Sequence, residues 1–433
     1  MLNNLPLNWC ECKFSDLCDI YTGNSINEQE KVSKYTNLDS GYNYIGTKDV
    51  SFEQTIDYEN GVKIPFDNGT FKIAPKNTPL LCIEGGSAGR KLAFTEEDIC
   101  FGNKLCAFVS KNKITSLYIF YFLQSTAFRS IFSLNKNGLI GGVSLNKIKN
   151  LTFPLPPLAE QERIVAKIEA LFQDIDEGVE RLKSAQAQIK QYRQSVLKSA
   201  FEGKLYKTTD WKEVQLKDVC EFKSGNTIDT KLEKSSGSIP YIKVGDMNLS
   251  ENSISIVTSS RFVDMVDIKQ NQLIPTGSVI FPKRGGAIAT NKKRKVIKPI
   301  IIDLNTMAII PSDKLHTDFF YFWILKIDLM KLSNGGNIPQ INNYSFDKVN
   351  IPLLTLPEQQ RIVAEIENRF AVADELEKAV NDGLEKADKL KQSILKKAFE
   401  GKLVAQNPND EPASILLERI KKSQTPTKGK KKC

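Results

Sequence analysis

The feature that most constrains this chain is an internal repeat. The segment from Leu158 to Leu205 aligns without a gap with the segment from Leu356 to Leu403, and 22 of the 48 aligned positions are identical. Both segments follow a proline-rich stretch, and both end in AFEGKL. Self-similarity at this level indicates a duplicated architecture, because helical composition alone does not produce it. We therefore expect two related halves.

The parts of the chain that precede these segments repeat more faintly. Trp9 to Ile26 matches Trp211 to Ile228, and Gly85-Gly86 matches Gly285-Gly286. The order is a globular unit, a long helix, a second globular unit, a second long helix and a tail. The two helices differ little in sequence, whereas the two globular units differ greatly. We therefore expect one shared requirement to constrain the sequence of both helices, and a separate requirement to constrain each globular unit.

Both repeated segments have the spacing of long amphipathic helices. Apolar residues recur every three or four positions, as in a helix that pairs with another in a coiled coil. The positions predicted to pair the helices and to dock other subunits are Ile164, Ile168, Leu171, Ile175, Ile362, Ile366, Leu376 and Leu390. Antiparallel pairing would place the globular units at opposite ends about an approximate two-fold axis, whereas a bundle or solenoid core without a spacer role is the alternative. Gly178 and Gly383 leave room for a short break midway.

Each globular unit is predicted to combine strands with a late helix. Short apolar and β-branched runs broken by Gly and Asn indicate strands. Helices are predicted around Leu117–Gln124 and Asp318–Ile327. We therefore expect an α+β fold.

Two loops place basic side chains beside paired glycines. The candidate DNA-binding residues are Arg90 and Lys91 in the first unit and Lys283, Arg284, Lys292, Lys293, Arg294 and Lys295 in the second. Arg and Lys neutralise phosphates, and Arg can pair with the major-groove edge of guanine. Basic loops are also common on ordinary solvated surface, so composition alone leaves both interpretations open. The formal charge of +9 is compatible with a partner such as double-stranded DNA.

The sequence offers no recognisable catalytic or cofactor site. It contains no G-x-x-x-x-G-K-[ST] loop, and its single histidine, His316, excludes His-rich metal centres. Cys10, Cys12 and Cys18 lie close together but lack a fourth zinc ligand. We therefore expect neither catalysis nor a bound metal in this chain. Because it has no run of about 18 apolar residues and no secretory signal, we also expect a cytoplasmic protein without a membrane span.

Two motifs are specific enough to compare with known families. They are PLPPLAEQERIVAKIE, from Pro154 to Glu169, and PLLTLPEQQRIVAEIE, from Pro352 to Glu367. With the two AFEGKL ends, they resemble the specificity subunits of type I restriction–modification enzymes over nearly the whole chain. The resemblance implies that each globular unit is a target recognition domain for one half of a split DNA site. It also implies that the helices form a spacer that docks two modification subunits, which restriction subunits then join.

The resemblance also implies a division of the chain and of the chemistry. The expected regions are a first recognition domain (1–153), a first helical spacer (154–205), a second recognition domain (206–351), a second spacer (352–404) and a basic C-terminal tail (405–433). No cofactor is expected in this chain, since the partner subunits would use S-adenosylmethionine, ATP and magnesium. The competing hypotheses are a stand-alone coiled-coil DNA-binding or regulatory protein and a cryptic nuclease or methyltransferase, and the missing catalytic motifs argue against the latter.

Overall fold

A computed structural model describes residues 5–110, 112–136, 141–205 and 212–424. The chain forms two compact units. The first unit consists of residues 1–182 and 382–433, and the second consists of residues 183–381. Because each boundary falls inside a long helix, each unit contains half of both helices. Trp211, the counterpart of Trp9 in the repeat, and the lysine-rich end of the chain lie outside the described residues.

The first unit combines two four-stranded sheets with short helices. Its strands are β1 (Cys10–Lys13), β2 (Asp19–Thr22), β3 (Tyr42–Ile45), β4 (Lys63–Ile64), β5 (Ile73–Ala74), β6 (Pro79–Cys82), β7 (Leu92–Phe94), β8 (Ile99–Phe101), β9 (Leu105–Val109) and β10 (Thr152–Leu155). Its helices are α1 (Phe14–Leu17), α2 (Glu28–Glu30), α3 (Lys113–Gln124), α4 (Thr126–Leu134) and α5 (Leu145–Lys149). The sheets have the orders β2-β9-β6-β7 and β4-β3-β8-β5, and β1 pairs with β10.

The second unit repeats this plan after the first long helix, α6 (Leu158–Phe201). Its strands are β11 (Lys212–Gln215), β12 (Cys220–Ser224), β13 (Ile239–Ile242), β14 (Ser255–Ile256), β15 (Phe262–Val263), β16 (Val279–Pro282), β17 (Arg294–Val296), β18 (Ile301–Ile302), β19 (Thr306–Pro311) and β20 (Asn350–Leu353). The sheets have the orders β12-β19-β16-β17-β14 and β15-β13-β18, and β11 pairs with β20. The remaining α-helices among the described residues are α7 (Thr317–Leu325), α8 (Leu329–Leu332), α9 (Leu356–Phe399) and α10 (Ala413–Gln424).

The predicted α+β architecture with two long helices is confirmed. The predicted late helices correspond to α3 and α7. Both α6 and α9 run unbroken for 44 residues, so the break allowed at Gly178 and Gly383 does not occur. A Cβ on Gly383 would lie 3.0 Å from the Leu182 side chain, and the glycine therefore permits close approach of the two helices. Within the described residues, no helix is both long and apolar enough to cross a membrane.

The ends of the long helices belong to the cores of the globular units. Ile164, Val165 and Ile168 from the start of α6 lie in the core of the first unit with Leu395 and Phe399 from the end of α9. In the second unit the roles are exchanged: the core contains the corresponding residues Ile362, Val363 and Ile366 from α9 and Leu197 and Phe201 from α6. The identities between the repeats therefore concentrate at the helix ends, where both copies bury the same residues.

The predicted tail is folded onto the first unit as far as it is described. The backbone N–H of Ala413 donates to the carbonyl of Asn8 at 2.9 Å, and Ala413 is fully buried. Arg163 of α6 forms an ion pair with Asp410 at 2.6 Å. This segment therefore completes the first unit between its N-terminal strand and the start of α6.

Candidate nucleic-acid interface and spacer helices

The paired glycines occupy equivalent positions in the two units. One loop follows β6 and the other follows β16, and each of these strands lies inside its sheet beside β9 or β19. Gly85 and Gly285 both have positive φ, at 82° and 72°, a conformation that side-chain-bearing residues rarely adopt. Apart from the adjoining residues of its own loop, no described residue has a heavy atom within 4 Å of a Cβ built on Gly85, Gly86, Gly285 or Gly286. The backbone of both loops is therefore open to a ligand.

In the first unit, the loop cations gather around an exposed aromatic ring. The guanidinium carbon of Arg90 lies 5.4 Å from the centroid of Phe52, and the ammonium of Lys91 lies 5.3 Å from it. Lys91 also donates to the carbonyl of Thr47 at 2.8 Å. Phe52 is 55% exposed. The loop thus presents two cations and a ring at one surface, and cation–π attraction favours this arrangement.

In the second unit, three of the predicted cations lie at or near the surface. Arg284 is exposed next to Gly285, and Lys292 contacts the side-chain oxygen of Asn248. Lys283 is partly buried, and this burial, together with the neighbouring charge of Arg284, lowers the pKa of its ammonium. Lys283 and Arg284 therefore form the most accessible basic pair of this loop.

The other three predicted cations are engaged within the protein. Lys293 is only 1% exposed and donates to the carbonyl of Ile327 at 2.6 Å, so it is withdrawn from the candidate DNA contacts. Arg294 donates to the carbonyl of Met247 at 3.1 Å, and Lys295 forms an ion pair with Asp318. These cations are engaged because the basic run leads into β17, which begins at Arg294, so they belong to a packed part of the unit and not to an open loop.

Replacing Lys293 by methionine is expected to change the pH dependence of stability. Burial lowers the pKa of Lys293 from 10.5 to about 8. Between these values the unfolded chain binds more protons, so the free energy of unfolding rises with pH by up to about 1.4 kcal/mol per pH unit from this group. Denaturant unfolding from about pH 7.5 to about pH 9.5 should show this rise in the wild type and its loss in Lys293→Met. Equal slopes in the two proteins would contradict the assignment.

The long helices pair in antiparallel orientation within each unit. In the first unit, Asp176 of α6 contacts Lys391 of α9, and Leu182 faces Gly383. In the second unit, Arg193 of α6 contacts Asp374 of α9 at 2.6 Å. In both units, later residues of α6 meet earlier residues of α9. Antiparallel pairing is therefore confirmed.

The predicted pairing residues divide into two groups. Those predicted near the helix starts are buried or partly buried: Ile164, Ile168, Leu171, Ile175, Ile362 and Ile366. Leu376 and Leu390, by contrast, are each 52% exposed, so they do not pair the two helices, while their docking of other subunits stays a prediction. The partly buried neighbours Glu377 and Lys391 point toward α6 instead, because long charged side chains can bury their stems while their charges are paired at the edge.

The glutamine of the Glu-Gln pair in each motif joins a long helix to its globular unit. Gln161 is buried, accepts a hydrogen bond from the Thr115 hydroxyl at 3.0 Å and donates to the carbonyl of Pro156 at 2.9 Å. Its counterpart Gln359 is also buried and accepts from the backbone N–H of His316 at 2.7 Å. Each glutamine therefore fixes the start of a long helix against a neighbouring segment of its unit.

Gln359→Leu is expected to lower the free energy of unfolding by about 1–3 kcal/mol, because it leaves buried backbone groups without partners. Gln359 also donates to the carbonyls of Lys314 and Leu354, both at 2.9 Å. The matched control is Gln360→Leu at an exposed position, with an expected change within about 0.5 kcal/mol. Equal destabilisation of the two variants in denaturant titrations would show that the hydrogen bonds of Gln359 are unimportant.

The repeated architecture matches a known family. A family model described as the type I restriction modification DNA specificity domain matches the chain twice, at residues 6–184 and 208–386. The chain belongs to this family of specificity subunits. The match favours the specificity-subunit hypothesis over a stand-alone regulatory protein.

Relatives of this specificity subunit cover most of its length. The EcoKI specificity subunit of Escherichia coli K12 is 27% identical in an alignment of 390 residues that covers 81% of this chain and 80% of the relative. The EcoBI specificity subunit of Escherichia coli is 25% identical and covers 98% of this chain and 94% of its own. A solved chain from a study of complex assembly and conformational transition of the type I R-M system superposes with a TM-score of 0.72 at 19% identity, covering 93% of this chain and 100% of its own, so the two share the fold.

Two features of this specificity subunit were not found from its sequence. Phe52 is distant in sequence from Arg90, and no local signal connects them. The single histidine, His316, caps α7, where its ring accepts from the backbone N–H of Asp318 at 3.3 Å. Among the described residues, no cluster of three or more His, Cys, Asp or Glu side chains could hold a metal ion.

Proposed function

We propose that this specificity subunit reads a bipartite, asymmetric DNA site, with one half-site contacted by each globular unit. One observation carries the proposal: two units of the same plan present an open Gly-Gly loop after the same central strand, but with different side chains around it. A shared scaffold with different contacting side chains suits two different half-sites, because base identity is read by side chains while phosphate contacts only position the protein. In this proposal, residues 1–153 and 206–351 are the two recognition domains, and residues 154–205 and 352–404 form the spacer.

The chain acts in this proposal as a scaffold without chemistry of its own. Two modification subunits would supply adenine methylation with S-adenosylmethionine, and restriction subunits would supply the steps that need ATP and magnesium, all in the cytoplasm. The helix pair offers equivalent surfaces for a partner that binds twice. Tyr192 and Leu390 occupy equivalent positions of the repeat and are 39% and 52% exposed. Exposed apolar side chains on a helix face are suited to bury against a partner.

Methylation mapping tests the proposed function directly. The chain is co-expressed with its cognate modification subunit, and methylated adenines are located across the host genome with and without this chain. The expected result is one interrupted, asymmetric motif whose methylation depends on the chain. Methylation of a continuous motif, or of no motif, would contradict the proposal. Cofactor-binding assays on the purified chain provide the control, since it should bind neither S-adenosylmethionine nor ATP.

A further inference from the structure

The Gly-Gly loop of the second unit, residues 283–286, is paired with a second loop, residues 334–342. The two loops form an antiparallel bridge in which Arg284 lies directly opposite Gln340. The residues on either side of this pair are joined by backbone hydrogen bonds of 2.8 Å and 2.9 Å. An arginine and a glutamine that are distant in sequence are therefore neighbours on two linked loops.

The hydrogen-bond pattern of the bridge brings the two side chains together. Because the bonds are made by the flanking residues, Arg284 and Gln340 form a non-hydrogen-bonded pair, and such pairs have Cα atoms about 4.5 Å apart. Directly opposite residues of an antiparallel pair present their side chains on the same face. The guanidinium and the amide are therefore presented side by side.

The backbone of Gln340 is also fixed within its own loop. Its N–H donates to the side-chain oxygen of Asn334 at 3.0 Å, and its carbonyl accepts from the N–H of Asn334, also at 3.0 Å. Gly335 has a φ of 65°, which allows the tight turn between them. The position of Gln340 is thus set from two directions, although its side chain makes none of these bonds.

Both side chains are available to a ligand. Arg284 is exposed and Gln340 is partly exposed. In the part of the chain that the structure describes, no hydrogen bond or ion pair engages the guanidinium of Arg284 or the side-chain amide of Gln340. The adjoining glycines, Gly285 and Gly286, leave the backbone beside them open. The pair therefore has hydrogen-bonding groups without protein partners at an accessible surface.

The first unit pairs the equivalent loops but carries different residues there. A backbone hydrogen bond of 3.0 Å joins these loops, from Val143 to the carbonyl of Ile83. Glu84 and Gly142 occupy the positions of the arginine and the glutamine, and a Cβ on Gly142 would lie 3.6 Å from the Cα of Glu84. The duplication has therefore kept the backbone of this site and changed both of its side chains.

We propose that Arg284 and Gln340 are a base-reading pair that contacts guanine and adenine in two adjacent base pairs of one half-site. In the major groove, arginine pairs with O6 and N7 of guanine, and glutamine pairs with N6 and N7 of adenine. Adjacent base pairs are about 3.4 Å apart, which two neighbouring long side chains can span. A carboxylate accepts from cytosine instead, so Glu84 would give the first unit a different preference. This inference rests on the proposed function and adds residues that determine part of the sequence it reads.

The test measures how strongly the complex of this chain with its modification subunit discriminates between bases. Methylation rates are compared on duplexes that carry each of the four bases at one position at a time across both half-sites. Gln340→Ala should reduce the preference for adenine at one position by at least about tenfold, equivalent to about 1.4 kcal/mol. Arg284→Ala should do the same for guanine at an adjacent position. The matched controls Gln215→Ala and Arg181→Ala, at exposed positions outside both loops, should leave every preference unchanged.

Unchanged preferences in both loop variants would overturn the inference. Equal weakening on every duplex would also overturn it, because that result indicates contact with phosphates and not with bases. So would a wild-type motif without adjacent G·C and A·T base pairs. If an alanine variant loses all methylation, the same duplexes are compared by competitive binding, and unchanged preferences there have the same meaning. Failure of the proposed function has a different signature, since the wild-type complex would then show no interrupted motif.

Discussion

Replacing both Lys283 and Arg284 by glutamine should weaken binding of the assembled complex to its DNA site by about 10- to 100-fold. A bidentate arginine–guanine pair contributes about 1–3 kcal/mol, and each lost phosphate contact lowers the slope of log K against log salt by about 0.9. Arg284 is exposed beside Gly285, and Lys283 is its sequence neighbour on the same open loop. Titrations of labelled DNA at several salt concentrations would measure both quantities.

The control for this prediction is neutralisation of two other lysines of the same unit. Lys217 and Lys348 are both exposed and lie outside the loop, so Lys217→Gln with Lys348→Gln removes the same charge. Affinity and salt slope should then change little. Equal weakening in the two variants would indicate a general effect of charge, and an unchanged slope in the loop variant would show that the loop is ordinary surface.

The long helices could be predicted because periodicity is a local property of a sequence and the duplication shows the same pattern twice. The predicted seam failed at Leu376 and Leu390, since it followed apolar residues alone. The structure places Glu377 and Lys391 toward the partner helix, where opposite charge and an aromatic ring accommodate them. Hydrophobic spacing does not reveal that accommodation, because the partner groups lie on the other helix.

The candidate site could be predicted only in part, because here too the decisive contacts come from segments that are distant in sequence. Paired glycines next to basic residues indicated both loops, but composition does not tell which of those lysines contact distant segments of the fold. Lys293, which directly precedes β17, is buried against the carbonyl of Ile327 within a run that looked uniformly exposed. Phe52 was missed because it reaches the loop through tertiary packing alone. Local signals identify a loop, whereas the set of accessible side chains depends on the fold.

The similarity of the two helices also has a physical explanation that the sequence did not provide. None of positions 178–193 is identical to its counterpart in the second copy. The identities lie in the terminal turns, and those turns belong to the globular cores. Similar helix ends thus reflect similar cores as well as any shared partner. The middle of each helix is left free to differ in sequence provided that length and seam are kept.

Removing one heptad from the middle of both helices should shorten the recognised spacing by about three base pairs. Deletion of 180–186 and of the equivalent 378–384 keeps the seven-residue repeat of the seam and leaves the ion pairs of Arg193 with Asp374 and of Lys391 with Asp176 in place. Seven residues of helix correspond to about 10 Å, which equals about three steps of B-form DNA. Because the globular units are untouched, the bases of each half-site should stay the same.

Genome-wide methylation mapping of the co-expressed complex would measure this change. A matched control removes four residues from the middle of each helix, 181–184 and 379–382. That deletion takes the seam out of phase, since a helix turns about 100° per residue and four residues do not complete a heptad. The control should therefore lose recognition, whereas the heptad deletion should keep it at a new spacing. A change in the bases of either half-site after the heptad deletion would refute the spacer role. Helix length would then determine which bases are recognised and not only how far apart they lie.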